Sequence, residues 1–427
     1  MKRYLHQLLA ICAAGAAVLS VAACGTTTSS SSASSSTAGA LKSGPGVDLA
    51  TKTITLGNIA ALSGPAAPLG LPVLAGAQTA VEAINAAGGV DGFKLKLETQ
   101  DAGYVPQNAV TSFNGMESSV AMIFNFGSPT TLAILPAVKA DNVLVLPQSW
   151  DSAWDSVPNL MPLGTPYAYD IANGLDYLVK VKHLGTKVGI IYQDDAYGAD
   201  GLRGFKAAVT GDHLDNVAQA TFAVTDTDFT AQVQKMKAAG AQIVVLTALP
   251  SASGPIVGTA ATLGYTPTYL FQGPAWLEQL MTKTGALGAP ATPIAAALAK
   301  STYVMGFATP WGNPNAPGMA AMLAAVKKYD PSQLPSVYFE LAWMQTHLAA
   351  AILNKAIADK DLTRQGILNA RLHLGSFNTG GIAQALDYTP TLGPPSTKSI
   401  ISRIDPSVLG FLKPIESGYQ GTDTSGL

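Results

Sequence analysis

The sequence predicts an α/β protein of more than one folded unit, with an open, mostly parallel sheet and helices on both of its faces. Two observations carry that reading. From residue 53 onward short apolar runs alternate with segments of helical spacing, in repeated β-α-β-α order. The chain is also 427 residues long, more than one core organises, and its 48% apolar and 12% charged residues suit globular units with lightly charged surfaces.

The clearest unit is 121–150. An apolar run over 120–126 is broken by Gly127-Ser128-Pro129-Thr130-Thr131, helical spacing follows over 132–140, and a second apolar run occupies 143–146. This is one βαβ unit. A crossover helix between parallel strands places both strand C-termini at the same edge, so Ser128 and the group Gln148, Ser149 and Trp150 are expected to face one crevice. The N–H groups at the start of helix 130–140, with the Ser128 and Thr130 hydroxyls, suit an anionic or carbonyl oxygen. The alternative is that Ser128 only caps the helix.

At the N-terminus, Lys2 and Arg3 precede an apolar stretch over 8–21, too short to span a bilayer and of the right length for a signal-peptide core. It ends in Val21-Ala22-Ala23-Cys24, which resembles the bacterial lipobox. The resemblance implies a signal peptide over 1–23 and a lipidated Cys24 at the mature N-terminus, anchored to the membrane on its extracytoplasmic side. The alternative is an ordinary cleavage site followed by a free cysteine. The Ser/Thr-rich segment 24–50 cannot bury a core and is expected to be a flexible tether.

The regular part opens with a strand over 54–59, a turn at Leu62-Ser63-Gly64-Pro65, and a helix over 72–86 that ends at Gly88-Gly89. A strand over 93–98 and a helix over 106–118 follow. Residues 54–65, the helix end Ala83-Ile84-Asn85-Ala86-Ala87-Gly88-Gly89-Val90, Asp101-Ala102, and Asp194-Asp195-Ala196-Tyr197-Gly198 together resemble the type I periplasmic binding proteins of branched-chain amino-acid ABC importers. The likeness extends, with gaps, over about 52–404. It implies two doubly wound parallel-sheet lobes joined by three crossover strands, with a solute trapped between them. Lobe 1 is then expected over 51–163 plus 308–376 and lobe 2 over 167–303 plus 380–427, with crossings at 162–166, near 302–309 and near 377–381. The β-α series from 169 to 271 fits the second lobe, and helices over 317–328, 337–359 and 363–370 return to the first.

In that family the solute is held by a serine after the third strand, by groups after the fourth, by a tyrosine of the second lobe, and by an acid that pairs with the ligand's ammonium. The first three carry over to Ser128, to Gln148-Ser149-Trp150, and to Tyr197. The fourth does not, because Gln272-Gly273-Pro274-Ala275-Trp276 has Ala275 where the carboxylate belongs. Burying an ammonium without a counter-charge costs several kcal/mol. A neutral or anionic solute is therefore expected: a carboxylate, an amide or an aromatic acid. Trp150 and Trp276 are expected on opposite lobes, with Trp154 near the first, either as ligand surfaces or as simple loop packing. Glu278, three residues after Ala275, either restores the missing charge or is a solvated helix-face acid. Asp101 reads as a turn residue near the cleft, Asp194 and Asp195 as supports of the loop carrying Tyr197, and Trp311 as a hinge or lobe-1 cover.

Composition and motif exclude several classes. Removing Lys2 and Arg3 with the leader moves the net charge from −2 to −4, and no basic patch points to nucleic acid. The only cysteines, Cys12 and Cys24, precede the folded part, and the five histidines have no metal-ligand spacing, so neither metal nor cofactor is expected. No Gly-x-Ser-x-Gly elbow, His-Glu-x-x-His helix or phosphate loop occurs, so the chain is not expected to be an enzyme. The expected partners are a small solute, an ABC permease and, through Cys24, the membrane, with the protein itself a monomer. The alternatives are a ligand sensor of a membrane signalling system, a branched-chain amino-acid binder, or an extracytoplasmic hydrolase.

Overall fold

The computed structural model describes residues 40–289, 291–306, 308–389, 392–421, 424 and 427. The expected leader over 1–23, Cys24 and the expected tether as far as residue 39 lie outside the described residues. Residues 40–50 are not tether. Lys42–Ser43 pairs in parallel with Asp361–Leu362, and Val47–Asp48 pairs antiparallel with Ile54 and Thr53. At Gly46, φ is +72° and an added Cβ would lie 2.3 Å from the Ala121 nitrogen, so only glycine lets this segment lie against the sheet.

The first lobe follows the expected order. Strand β1 (Thr53–Ala60) leads to helix α1 (Ala67–Ala86), β2 (Lys94–Asp101), α2 (Pro106–Met116), β3 (Met122–Phe126), α3 (Ser128–Ala140) and β4 (Val145–Gln148). The strands lie in the order β2-β1-β3-β4, all parallel. Side chains that alternate along each strand feed two cores. Leu56, Met122 and Phe124 share one core with α1, and Ile59, Ile123 and Val145 share the other with residues of α2 and α3. Burial on both faces is why these strands are continuous apolar runs. Helix α1 starts earlier than its spacing indicates, because Pro68 lies in its first turn, where a missing N–H costs nothing, and Pro72 is carried within the helix.

The second lobe runs α4 (Tyr167–Asp176), β5 (Lys187–Gln193), α5 (Ala196–Gly211), β6 (Asp215–Phe222), α6 (Thr230–Ala238), β7 (Ile243–Thr247), α7 (Pro250–Thr262), β8 (Thr268–Phe271), α8 (Ala295–Ser301) and β9 (Thr302–Gly306). Helices α9 (Pro317–Tyr329), α10 (Val337–Ala358) and α11 (Arg364–Leu372) then return to the first core, and β10 (Ser399–Ile404) and β11 (Leu412–Tyr419) complete the second sheet. Its order is β6-β5-β7-β8-β9-β10-β11, parallel as far as β9 and antiparallel beyond. Val244 and Leu246 face one core and Ile243 and Val245 the other.

The chain passes between the sheets three times. Met161 still donates to the Val145 carbonyl, and α4 begins six residues later. Ala308, just after β9, bridges Ala383. The third passage is later and longer than the expected 377–381. Gly375–Phe377 pairs with Leu386–Tyr388, the Tyr388 hydroxyl donates to the Pro162 carbonyl at 2.8 Å, and the second sheet is joined only at Ser399. The hairpin absorbs the extra chain, a device that Pro-rich spacing does not reveal.

A buried group of acids sits beside the first passage. Asp200 on α5 accepts the Ser152 N–H at 3.1 Å and the Ala168 N–H at 3.2 Å, which ties the loop after β4 to the second lobe. Asp151 and Asp155 lie close by. Burial first, then the Asp200 charge, pushes Asp151 up to about 7 and Asp155 up to about 8. Carboxyls raised in the folded state bind protons more tightly there than in the unfolded chain. Their contribution to stability is complete below the ordinary carboxylate range and is lost as pH rises through 7 to 8. The melting temperature is therefore expected to fall between pH 6 and pH 9, and Asp155→Asn is expected to flatten that fall. Differential scanning calorimetry across that range checks it; equal slopes for the two proteins would count against the assignment.

Candidate functional site

Parallel pairing brings Phe126 opposite Gln148, and the Gly127 N–H approaches the Gln148 carbonyl at 3.4 Å. The expected edge therefore exists, with Ser128 and Gln148 side by side on it. The turn from β3 into α3 needs glycine: Gly127 has φ +97°, and a Cβ there would lie 2.5 Å from the Tyr104 ring. Gly127, not Ser128, is the residue before the helix. Ser128 is the first helical residue, and its hydroxyl is buried with no hydrogen-bond partner, so it does not cap the helix. Both polar atoms of the Gln148 amide are likewise buried and unpartnered. A buried polar group left unsatisfied costs about 1–3 kcal/mol, so three such atoms at one sheet edge, beside a helix N-terminus, mark a candidate binding site.

Ser128 and Gln148 line a first cavity of about 20 Å³, closed by aromatic side chains from both lobes. Trp150 packs edge-on against Tyr167 with ring centroids 5.8 Å apart, and Tyr167 packs against Tyr197 at 4.9 Å. Across the cleft the Tyr104 hydroxyl donates to Asp195 at 3.0 Å, and Asp195 also caps α5 by accepting the Gly198 N–H at 3.0 Å. Tyr197 donates to the Gln272 side chain at 2.9 Å, so its ring forms wall while its proton is already used. Asp101 accepts the Leu62 and Gly103 N–H groups, both at 2.8 Å, and so fixes the turn beside this cavity.

A second cavity, of about 50 Å³, shares Trp150, Tyr167, Pro274, Tyr338 and Leu341 with the first. Beyond them its walls are mainly apolar, with Val304, Met305, Ile400 and Leu412 among them. Its one carboxyl is Asp170, which accepts the Ser399 hydroxyl at 2.6 Å and is pushed up to about 7 by burial. The Tyr338 hydroxyl reaches the Trp276 carbonyl at 2.7 Å and holds the two lobes together at this wall.

Not every expected side chain reaches the cavities. The Thr130 hydroxyl is bonded to the carbonyls of Phe126 and Gly127 and secures the strand-to-helix turn. The Ser149 hydroxyl accepts from the Trp154 indole at 3.2 Å, and Trp154 itself lies in the core behind the sheet. Ala275 faces away from the cavities described, its carbonyl accepting the Ser253 hydroxyl at 2.7 Å. Trp276 does line the second cavity opposite Trp150, but it is wholly buried in the second-lobe core and its N–H has no acceptor. Glu278 is not a solvated acid. It is buried, with its carboxyl met by the Val337 N–H. Tyr104, Tyr167, Tyr338 and Leu341 were not singled out by sequence, because Tyr104 lies in a turn and the others at helix starts, where only the packing shows which residues form the wall.

A model of the periplasmic binding protein family matches residues 53–407. The chain belongs to that family. Its two-lobed type I fold is shared by a fatty acid ABC transporter substrate-binding protein from Thermomonospora curvata, 27% identical with a TM-score of 0.82 over 90% of this chain and 95% of the other. A branched-chain amino acid ABC transporter from Thermus thermophilus with bound valine has the same fold, with a TM-score of 0.74, 17% identity, and coverage of 87% and 96%. Among curated proteins, the Leu/Ile/Val-binding protein homolog 3 of Brucella melitensis is 32% identical over 45% of this chain and 53% of its own length. The amino acid binding protein of Pseudomonas aeruginosa is 26% identical over 49% and 58%. The chain thus spans about half the length of the curated relatives it matches.

Because Trp276 serves the second-lobe core as well as the cavity, Trp276→Ala is expected to lower global stability by about 3–5 kcal/mol, with a smaller loss for Trp276→Phe. Urea unfolding followed by circular dichroism measures both. A destabilisation under 1 kcal/mol for the alanine variant would show the indole to be dispensable to the core.

Proposed function

We propose that this chain is the extracytoplasmic solute-binding lipoprotein of an ABC importer, and that its solute is a small aliphatic carboxylic acid. The observation that carries the reading is the buried, unpartnered pair Ser128 and Gln148 at the N-terminus of α3, opening onto an apolar cavity. The Ser128 hydroxyl, the Gln148 amide N–H and the first-turn backbone N–H groups form a donor set for a carboxylate at the positive end of a helix dipole. The Trp150, Tyr167 and Tyr338 walls then lead an alkyl chain toward Val304, Met305 and Ile400.

The name of the Thermomonospora relative, a fatty acid binder, supports this class. The Leu/Ile/Val names of the curated relatives favour a branched-chain amino acid instead. Against that, the described walls of the first cavity contain no carboxylate to meet an α-ammonium beside the carboxylate. Solute touching both lobes favours the closed arrangement by its differential affinity, and the closed form is the one an importer's permease recognises in this mechanism. The same closure serves a sensor subunit, and gene neighbours coding a permease and an ATPase favour import. Family membership favours binding over hydrolysis.

Isothermal titration calorimetry of the purified protein with octanoate is expected to show saturable binding, and leucine and valine none. Ser128→Ala is expected to weaken octanoate binding by roughly 10- to 150-fold, with Gln148→Ala acting in the same direction. Tight leucine binding with no response to octanoate would overturn the proposed solute class. For the anchor, Cys24→Ser is expected to move the protein from the detergent phase to the aqueous phase in Triton X-114 partition; retention in the detergent phase would exclude Cys24 as the lipidated residue.

A further inference from the structure

Beyond the second cavity lies a third, of about 20 Å³, which shares Ala308, Val337, Ser402 and Leu412 with it. Two carboxyls line it, one from each lobe. Glu278 follows β8, and Glu340 lies in the first turn of α10. Glu340 is wholly buried, and both its carboxyl oxygens lack a hydrogen-bond partner. Among the described residues, no Lys, Arg or His lines this cavity. Two buried acids facing one space repel when ionised and leave acceptors unsatisfied when neutral, and a cation between them removes both costs.

We infer that this cavity is a second binding subsite, which takes an organic ammonium group between Glu278 and Glu340. A metal ion fits less well. Only two carboxyls are present, and no group of three metal-ligating side chains occurs among the described residues. The remaining walls suit an alkylammonium: Ser336, Thr309 and Ser402 carry hydroxyls, Trp311 presents an indole, and Leu409 and Leu412 are apolar. Because the two acids come from different lobes, the cation bridges them and favours the closed arrangement. Burial raises both acids, Glu278 to about 7 and Glu340 well above its ordinary range, so loading a cation at neutral pH expels protons.

The ammonium either comes on a separate amine or forms the far end of a chain whose carboxylate is at Ser128. The second case rests on the function proposed above; the first does not. Calorimetry at pH 7.5 in two buffers of different ionisation enthalpy, with n-hexylammonium, n-hexanol, octanoate and 8-aminooctanoate as probes, separates these cases. Hexylammonium is expected to bind where hexanol does not, with proton release, and Glu340→Gln is expected to weaken it roughly 10- to 100-fold. Tighter binding of 8-aminooctanoate than of octanoate, lost in Glu340→Gln, supports the single-chain case. Glu278→Gln is the second variant, and circular dichroism melts verify that both fold. If neither amine depends on Glu340 or Glu278, the subsite is refuted whatever octanoate does. Loss of octanoate binding alone refutes only the carboxylic-acid reading.

Discussion

The parallel pairing of β3 with β4 through the short crossover α3 is the constraint on which the site depends. It fixes Phe126 against Gln148 and sets Ser128, one residue beyond Gly127, at the same sheet edge. Polar groups at that edge have no strand to pair with. In Ser128 and Gln148 they are not consumed by the protein's own backbone, whereas in Thr130 and Ser149, their neighbours, they are. That difference, one hydroxyl left unpartnered beside another already used, is what makes this edge a candidate binding site rather than an ordinary helix start.

Among the described residues the lobes are held together by a few polar bonds and by aromatic packing, not by salt bridges. Tyr104 to Asp195, Tyr338 to the Trp276 carbonyl and the Ser152 N–H to Asp200 all cross the cleft. Tyr167, at the start of α4, lies between Trp150 of one lobe and Tyr197 of the other. Carboxyls gather at the same junction, Asp151, Asp155 and Asp200 at one passage and Glu278 and Glu340 at another. Acids buried where the lobes meet make that contact sensitive to protons.

Much of the scaffold was legible before any coordinates. Strands buried on both faces are unbroken apolar runs, so β1, β3, β5, β7 and β8 are visible as such, and Ser128, Gln148, Trp150 and Tyr197 are found among the cavity walls. Where the reading failed, a long-range contact decided the outcome. Residues 40–50 look like tether by composition, yet their backbone pairs with strands that enter the chain at 53 and 361. Glu278 looks like a surface acid from its spacing, yet α10 folds over it. Glu340 is the lone acid at the head of an apolar helix, a signal visible in Val337-Tyr338-Phe339-Glu340-Leu341 that carried no meaning without its partner.

By itself the sequence determined the order of strands and helices and the edge on which Ser128 and Gln148 would lie. Side-chain period, turn residues and the handedness of a crossover are properties of neighbouring residues. Tertiary structure alone decided which hydroxyls the backbone consumes, which tryptophans serve core or cavity, and that Glu278 and Glu340, 62 positions apart, face one space. Those outcomes depend on distances between remote segments, which no local pattern encodes.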